Sequence, residues 1–151
     1  MKRPSNSSVQ STRLVMPTDA NTLGSAFGGY IMSEMDILAG ICAGRHCELP
    51  VVTVAIDELV FKRPIRVGDV VEIKATVNYT GSTSMEVGVK VERTDGLTYT
   101  TEHCLSGYFT FCAIDRNGKP VPVPEIYPQT EDEVRRFEEA KIRRANRLKD
   151  K

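Results

Sequence analysis

The chain lacks the charge imbalance expected of a protein that binds polyanions. Its 20 Lys and Arg are matched by 20 Asp and Glu, for a formal net charge of zero. That argues against broad electrostatic attraction to nucleic acid or to an anionic membrane, and leaves room for a local basic patch that meets a phosphorylated ligand. It also lacks a long apolar run. The longest, from Phe27 to Cys42, is interrupted by Ser33, Glu34 and Asp36 and is too short to span a bilayer. The first twelve residues are polar and have no apolar signal-peptide core. Cysteine is sparse: Cys42, Cys47, Cys104 and Cys112 contain no Cys-x-x-Cys, so free thiols in a cytoplasmic protein are a simpler reading than disulfides or zinc. His46 and His103 are the only histidines, and no internal repeat is present. The length fits one domain with a sizeable core.

Against this plain background Asp36 stands out. The residues around it are apolar almost all the way round a helix, and a helix with no polar face is normally buried. A buried carboxylate is costly unless it is paired, hydrogen-bonded or working. Glu34, two positions earlier, lies roughly 200° around the helix and cannot be its neighbour. No Lys or Arg stands three or four residues from Asp36. The sequence therefore predicts an unpaired acid in a hydrophobic helix, shortly after the Gly28-Gly29 pair.

Turn residues and hydrophobic period divide the chain. Residues 1–11, rich in Ser, Asn and Gln, read as a disordered tail. A short strand over 13–16 and a turn-rich stretch over 18–25 precede the helix, expected over 26–45. Strands then dominate, over 51–61, 70–79, 84–93 and 98–114, with turns at Gly68-Asp69, Gly81-Ser82 and Asp95-Gly96. Residues 119–128 are Pro-rich and extended. Thr130 and Glu133 form a capping box for a last helix, whose acidic start and basic end suit the helix dipole. Its arginines, interleaved with Glu138 and Glu139, read as a solvated face in preference to an RNA-binding arm. One buried helix followed by antiparallel strands is an α+β pattern. A sheet curved around that helix would leave edge strands to cover, so a dimer that continues the sheet is expected.

Several motifs fall in a specific order: Met16-Pro17-Thr18-Asp19-Ala20-Asn21, Gly24-x-x-Phe27-Gly28-Gly29, Met35-Asp36, Val52-Thr53-Val54-Ala55-Ile56-Asp57, Phe61-x-x-Pro64-Ile65-x-Val67-Gly68-Asp69, Gly81-x-Thr83-Ser84 and Phe109-Thr110-Phe111-x-Ala113-x-Asp115. Together they resemble the hotdog-fold acyl-CoA thioesterases of the short cytoplasmic bacterial type, from about residue 16 to 124. The resemblance implies a hotdog domain over 12–124 with an extension over 125–151. It implies hydrolysis of acyl-CoA without metal or cofactor, CoA being part of the substrate. It also implies a homodimer as the active unit, often three such dimers together. The family's helix aspartate falls on Asp36, its preceding amide residue on Asn21 and its Gly pair on Gly28 and Gly29. Ser82 stands where the family commonly has an Arg that holds the nucleotide end of CoA.

The residues suit that chemistry. Asp36 could act as general base or attack directly. The unsatisfied N–H groups at the helix start, near Gly28 and Gly29, could polarise the thioester carbonyl. Asn21 could orient water or close an Asx turn. Lys62 and Arg63 offer cations to CoA phosphates or form a solvated strand end. Thr83 and Ser84 offer hydroxyls to pantetheine or to a neighbouring strand. Gly28 and Asp36 lie roughly 12 Å apart along one helix, so one thioester carbon cannot touch both. Each site should then combine Asp36 of one chain with the Gly pair of another. Chain-length preference would depend on how Tyr30, Met32 and Leu59 pack. A non-catalytic acyl-CoA sensor and a hotdog dehydratase are the alternatives. The placement of the two histidines disfavours the second.

Overall fold

Alternation of valine with polar residues sets the sheet. The computed structural model describes residues 2–149. Strands β1 (Val9–Leu14), β2 (Val51–Asp57), β3 (Val70–Thr80), β4 (Ser84–Thr94) and β5 (Thr101–Ala113) form one antiparallel sheet in the order β1-β3-β4-β5-β2. In β4, Met85, Val87, Val89 and Val91 are buried in the core. Glu86, Gly88, Lys90 and Glu92 alternate with them and so take the other face. The same alternation in β3 and β5 sends Ile73, Ala75, Val77, Leu105, Phe109 and Phe111 into that core.

Helix α2 (Gly28–Cys47) lies on the core face and buries Ile31, Met35, Leu38, Ala39, Cys42 and Ala43. It ends where Glu48 turns left-handed at φ 57° and its N–H bonds the Gly44 carbonyl at 2.7 Å. Its apolar surroundings do not close around it within one chain. Ile37, Ile41 and Met32 are exposed, as are Val52, Val54 and Ile56 on the edge strand β2. The helix expected to be buried on most sides is thus covered on one side only, and an apolar face is left open where the sheet ends.

The C-terminal helix, α3 (Glu131–Lys149), packs on the opposite face of the sheet, so the sheet lies between the two long helices. The expected capping box is present: Glu133 N–H donates to Thr130 Oγ1 at 3.1 Å and Thr130 N–H to Glu133 Oε1 at 3.0 Å. Phe137 packs on Tyr79 in a tilted pair with ring centroids 5.0 Å apart. Arg143 donates twice to Glu86, at 2.8 and 2.9 Å, and Arg147 donates to Asp57 at 3.1 Å. The boundary expected at 124–125 separates no packing units. Ile126 is buried, and its N–H donates to Thr80 Oγ1 at 3.1 Å.

The N-terminus corrects the expectation of disorder over 1–11. Within the described residues a short helix, α1 (Pro4–Ser7), leads into β1, which pairs with β3 from Val9↔Ala75 to Leu14↔Val70. The strand expected at 13–16 therefore starts four residues earlier. Polar side chains hid it. An edge strand is held by backbone hydrogen bonds, which Gln10, Ser11 and Thr12 supply as well as valines do, while solvent takes their side chains. Met1, the first residue of the expected tail, and residues 150–151 lie outside the described part of the chain.

Candidate active site

Asp36 is half-buried, not sealed in the core, and it has a partner. The Thr53 hydroxyl, on β2, donates to Asp36 Oδ1 at 2.8 Å. This corrects the picture of an unpaired acid. The partner comes from across the helix–sheet gap, a direction that helical spacing does not reveal. A register shift between Thr53 and Ala55 opens a bulge in β2 next to this contact, as bulges often do where a side chain must be re-aimed. Glu34, one turn-face away, is engaged by Arg13 instead.

Gly28 and Gly29 open α2, and Asn21 lies in the loop that leads into it. Asn21 Oδ1 accepts the N–H groups of Leu23 at 2.9 Å and Ser25 at 3.2 Å, which is an Asx turn. Its Nδ2 has no partner among the described residues. The structural reading of Asn21 thus holds, the carbonyl closing the loop. The Phe27 carbonyl accepts the N–H groups of Tyr30 at 3.1 Å and Ile31 at 3.4 Å. The Gly28 and Gly29 N–H groups precede them and have no acceptor among the described residues. These are the orphan donors at the positive end of α2. Both glycines are exposed, and a Cβ on Gly28 would meet only the Phe61 ring at 3.6 Å. At Gly29 a Cβ would come 3.3 Å from the Phe27 ring, so packing favours glycine there, whereas at Gly28 its own chain does not require it and a ligand approaching the backbone would.

The expected CoA contacts fall into two places. Lys62 and Arg63 line an open depression with Glu102 and His103, and Arg63 Nε is 3.8 Å from Glu102. The Lys62 N–H donates to the Cys104 carbonyl at 2.8 Å. Ser82, Thr83 and Ser84 form the β3–β4 connection at the far end of the same strands, where Ser84 is opposite Cys112. Along β4 the two places are separated by about 26 Å. Lys62 and Ser82 of one chain therefore do not grip the same phosphate. Gly28 lies beside Phe61 at the Lys62 end. Thr53, opposite Phe111, lies in the row that continues to Met85, next to Ser84. Within one chain, Asp36 with Thr53 lies midway along α2 while the Gly pair lies at its start, roughly 12 Å away.

Their surroundings argue against three of the cysteines as nucleophiles and against both histidines as partners of Asp36. Burial pushes the Cys42 thiol up to about 11, with a lesser opposing effect from Ser7, and burial also raises Cys47 and Cys104; none is a ready thiolate. His46 is fully buried, its Nε2 2.7 Å from the Pro124 carbonyl. His103 pairs with Ser106 at 2.8 Å on the α3 side of the sheet. Neither reaches Asp36, as a dehydratase would require.

The family model described as the thioesterase superfamily matches residues 23–100. A Bacillus subtilis protein described as the uncharacterized acyl-CoA thioester hydrolase YkhA is 41% identical over 96% of this chain and 84% of its own. The chain belongs to the thioesterase superfamily. Its sheet with one central helix is the hotdog arrangement of that superfamily. A solved hexameric acyl-CoA thioesterase superposes with a TM-score of 0.94 at 41% identity, over 97% of this chain and 94% of that one. The Staphylococcus aureus acyl-CoA hydrolase, solved with butyryl-CoA and CoA, gives 0.89 at 35% identity, over 99% and 93%. That hydrolase has also been solved with one Asp, one Asn and one Thr each replaced by Ala. Of the residues that matter here, Thr53 is the one sequence reasoning missed. It stood within the Val52-Thr53-Val54-Ala55-Ile56-Asp57 motif with no role attached to it, and its side-chain direction depends on the bulge.

Proposed function

We propose that the protein hydrolyses acyl-CoA thioesters with Asp36 as general base, at sites each assembled from two copies of the chain. The carrying observation is the Asp36–Thr53 pair. Thr53 holds Oδ1 of the carboxylate, which leaves Oδ2 to accept a proton from water. The Asn, Asp and Thr replaced in the S. aureus hydrolase stand in the same chain order and at the same intervals as Asn21, Asp36 and Thr53. Water attacks the thioester carbon while Asp36 takes its proton. The carbonyl oxygen collects the negative charge against the Gly28 and Gly29 N–H groups of the other chain. Collapse of this intermediate breaks the C–S bond, and the proton held by Asp36 passes to the departing CoA sulfur. The protein supplies every group, with no metal or cofactor beyond the CoA of the substrate.

Two copies are needed because Asp36 and the Gly pair lie apart. Pairing β2 with β2 about a twofold axis is antiparallel, so it sets the Val51 end of one strand beside the Asp57 end of the other. That pairing covers the exposed edge, with Val52, Val54, Ile37 and Ile41, and brings one chain's Asp36 toward its partner's Gly28. Three such dimers would give the hexamer of the matched thioesterase. Four unpaired cysteines suit a reducing cytoplasm. The test is thiol release from a series of acyl-CoA lengths. Asp36→Ala should lower turnover by about 100-fold or more while the dimer stays folded; wild-type turnover in that variant would remove the assignment.

A further inference from the structure

The face of the sheet opposite α2 carries a hollow of about 390 Å³ between β3, β4, β5 and α3, a volume in the range of small-ligand sites. Gly88 on β4 lines the hollow and makes room for the Asn78 amide. A Cβ at Gly88 would come 2.6 Å from Asn78 Nδ2. Lys74, Lys90, Arg135 and Arg136 line it. Lys74 and Lys90 are directly opposite each other in register, a like-charge pair that weakens a sheet. Glu92 lies 3.5 Å from the first and 3.9 Å from the second and serves both with a single carboxylate. Arg135 reaches Asp132 at 3.3 Å, and Arg136 has no ion-pair partner among the described residues. Positive charge therefore gathers at one side of the hollow without full compensation.

The other side offers acceptors. Asn78 is 4% exposed and lines the hollow. Its Nδ2 donates to Glu86 Oε2 at 3.0 Å, and since a carboxylate only accepts, the amide orientation is fixed. Asn78 Oδ1 is left buried with no donor, a costly state. Glu139 is the acid on the lining. Cations on one side and waiting acceptors on the other suit a ligand with both anionic oxygens and hydrogen-bond donors.

We propose that this hollow binds a phosphate monoester that also carries N–H or O–H donors, a sugar phosphate or a mononucleotide. The phosphate meets Lys90, Arg135 and Arg136, and a donor of the organic part bonds Asn78 Oδ1. The site lies across the sheet from Asp36 and stands independently of the reading given to that residue.

Calorimetric titration of the intact protein with ribose 5-phosphate and with AMP, inorganic phosphate serving as reference, tests this. At least one organic phosphate should bind saturably, once per chain and more tightly than inorganic phosphate. The double variant Lys90→Ala, Arg136→Ala changes exposed residues only. It should weaken that binding about tenfold or more, as loss of two charge-assisted contacts does, and leave basal thioester hydrolysis unchanged. Asn78→Ala, checked for folding by thermal melting, should bring organic and inorganic phosphate to equal affinity. No saturable binding of either organic probe, or the same affinity in the double variant, would overturn the proposal.

Discussion

Thr53 on the edge strand donates its hydroxyl to Asp36 on the central helix at 2.8 Å. This one contact ties the acid to the strand through which the sheet is proposed to continue into a second copy. It also fixes which carboxylate oxygen is free. Hydrogen bonds to charged groups contribute roughly 1.5–3 kcal/mol. Thr53→Ala should therefore lower kcat by about tenfold to a hundredfold through misorientation of Asp36, and Thr53→Ser should restore most of it. Steady-state kinetics on the three proteins decides the point, and equal kcat values would show that the contact does not serve the reaction.

The proposed assembly of each site from two chains has a direct consequence. A chain with Asp36→Ala and a chain with Gly28→Trp are each expected to be inactive alone. Mixed dimers of the two should recover activity at one of their two sites, because that site combines an intact Asp36 with an intact Gly28. Subunit exchange followed by a thiol-release assay measures this. Mixed dimers that form and remain inactive would place the whole site within one chain.

Much of this was legible before the fold was known. The central helix, the three long strands and the α3 capping box follow from hydrophobic period and end signals, which are local. Asp36 was legible as a polar residue in apolar surroundings. Thr53 was not, since its role depends on a bulge and on a contact 17 positions away in sequence. Strand β1 was hidden because backbone pairing at an edge asks little of side chains. The place of α3 was hidden too: capping shows where a helix starts, and only the Glu86, Tyr79 and Asp57 contacts show which face it covers. The exposed side of α2 was read as buried because its sequence is apolar. In the proposed dimer that face is covered by the second copy.

His46 links pH to stability. Burial lowers its pKa, with the Pro124 carbonyl opposing the shift and Lys2 adding to it. The folded state thus favours the neutral ring, while the unfolded chain still takes up a proton near pH 6.5. Between the two pKa values the unfolded state binds more protons, so stability rises with pH there. The contribution is fully present above about pH 6.5 and is lost as pH falls toward the lowered folded value. Thermal melts from pH 8 to 5 should show a decline that is shallower in His46→Gln. Parallel declines in both proteins would mean that other groups govern the response.

The Arg143–Glu86 pair fastens α3 to the sheet. Glu86 is 7% and Arg143 12% exposed at the side chain, and the guanidinium also lies 3.6 Å from the Tyr108 ring centroid. Breaking such a pair from one side leaves a buried charge without its partner, which costs about 3–5 kcal/mol. Replacing both partners with apolar residues removes that penalty along with the attraction. Arg143→Met should therefore destabilise strongly in urea unfolding, and Glu86→Leu likewise. The double variant should recover much of the loss, giving a coupling energy far from zero. Simple additivity of the two single effects would mean that α3 is held mainly by Phe137 on Tyr79 and by Arg147 on Asp57, and that the ion pair merely sits beneath it.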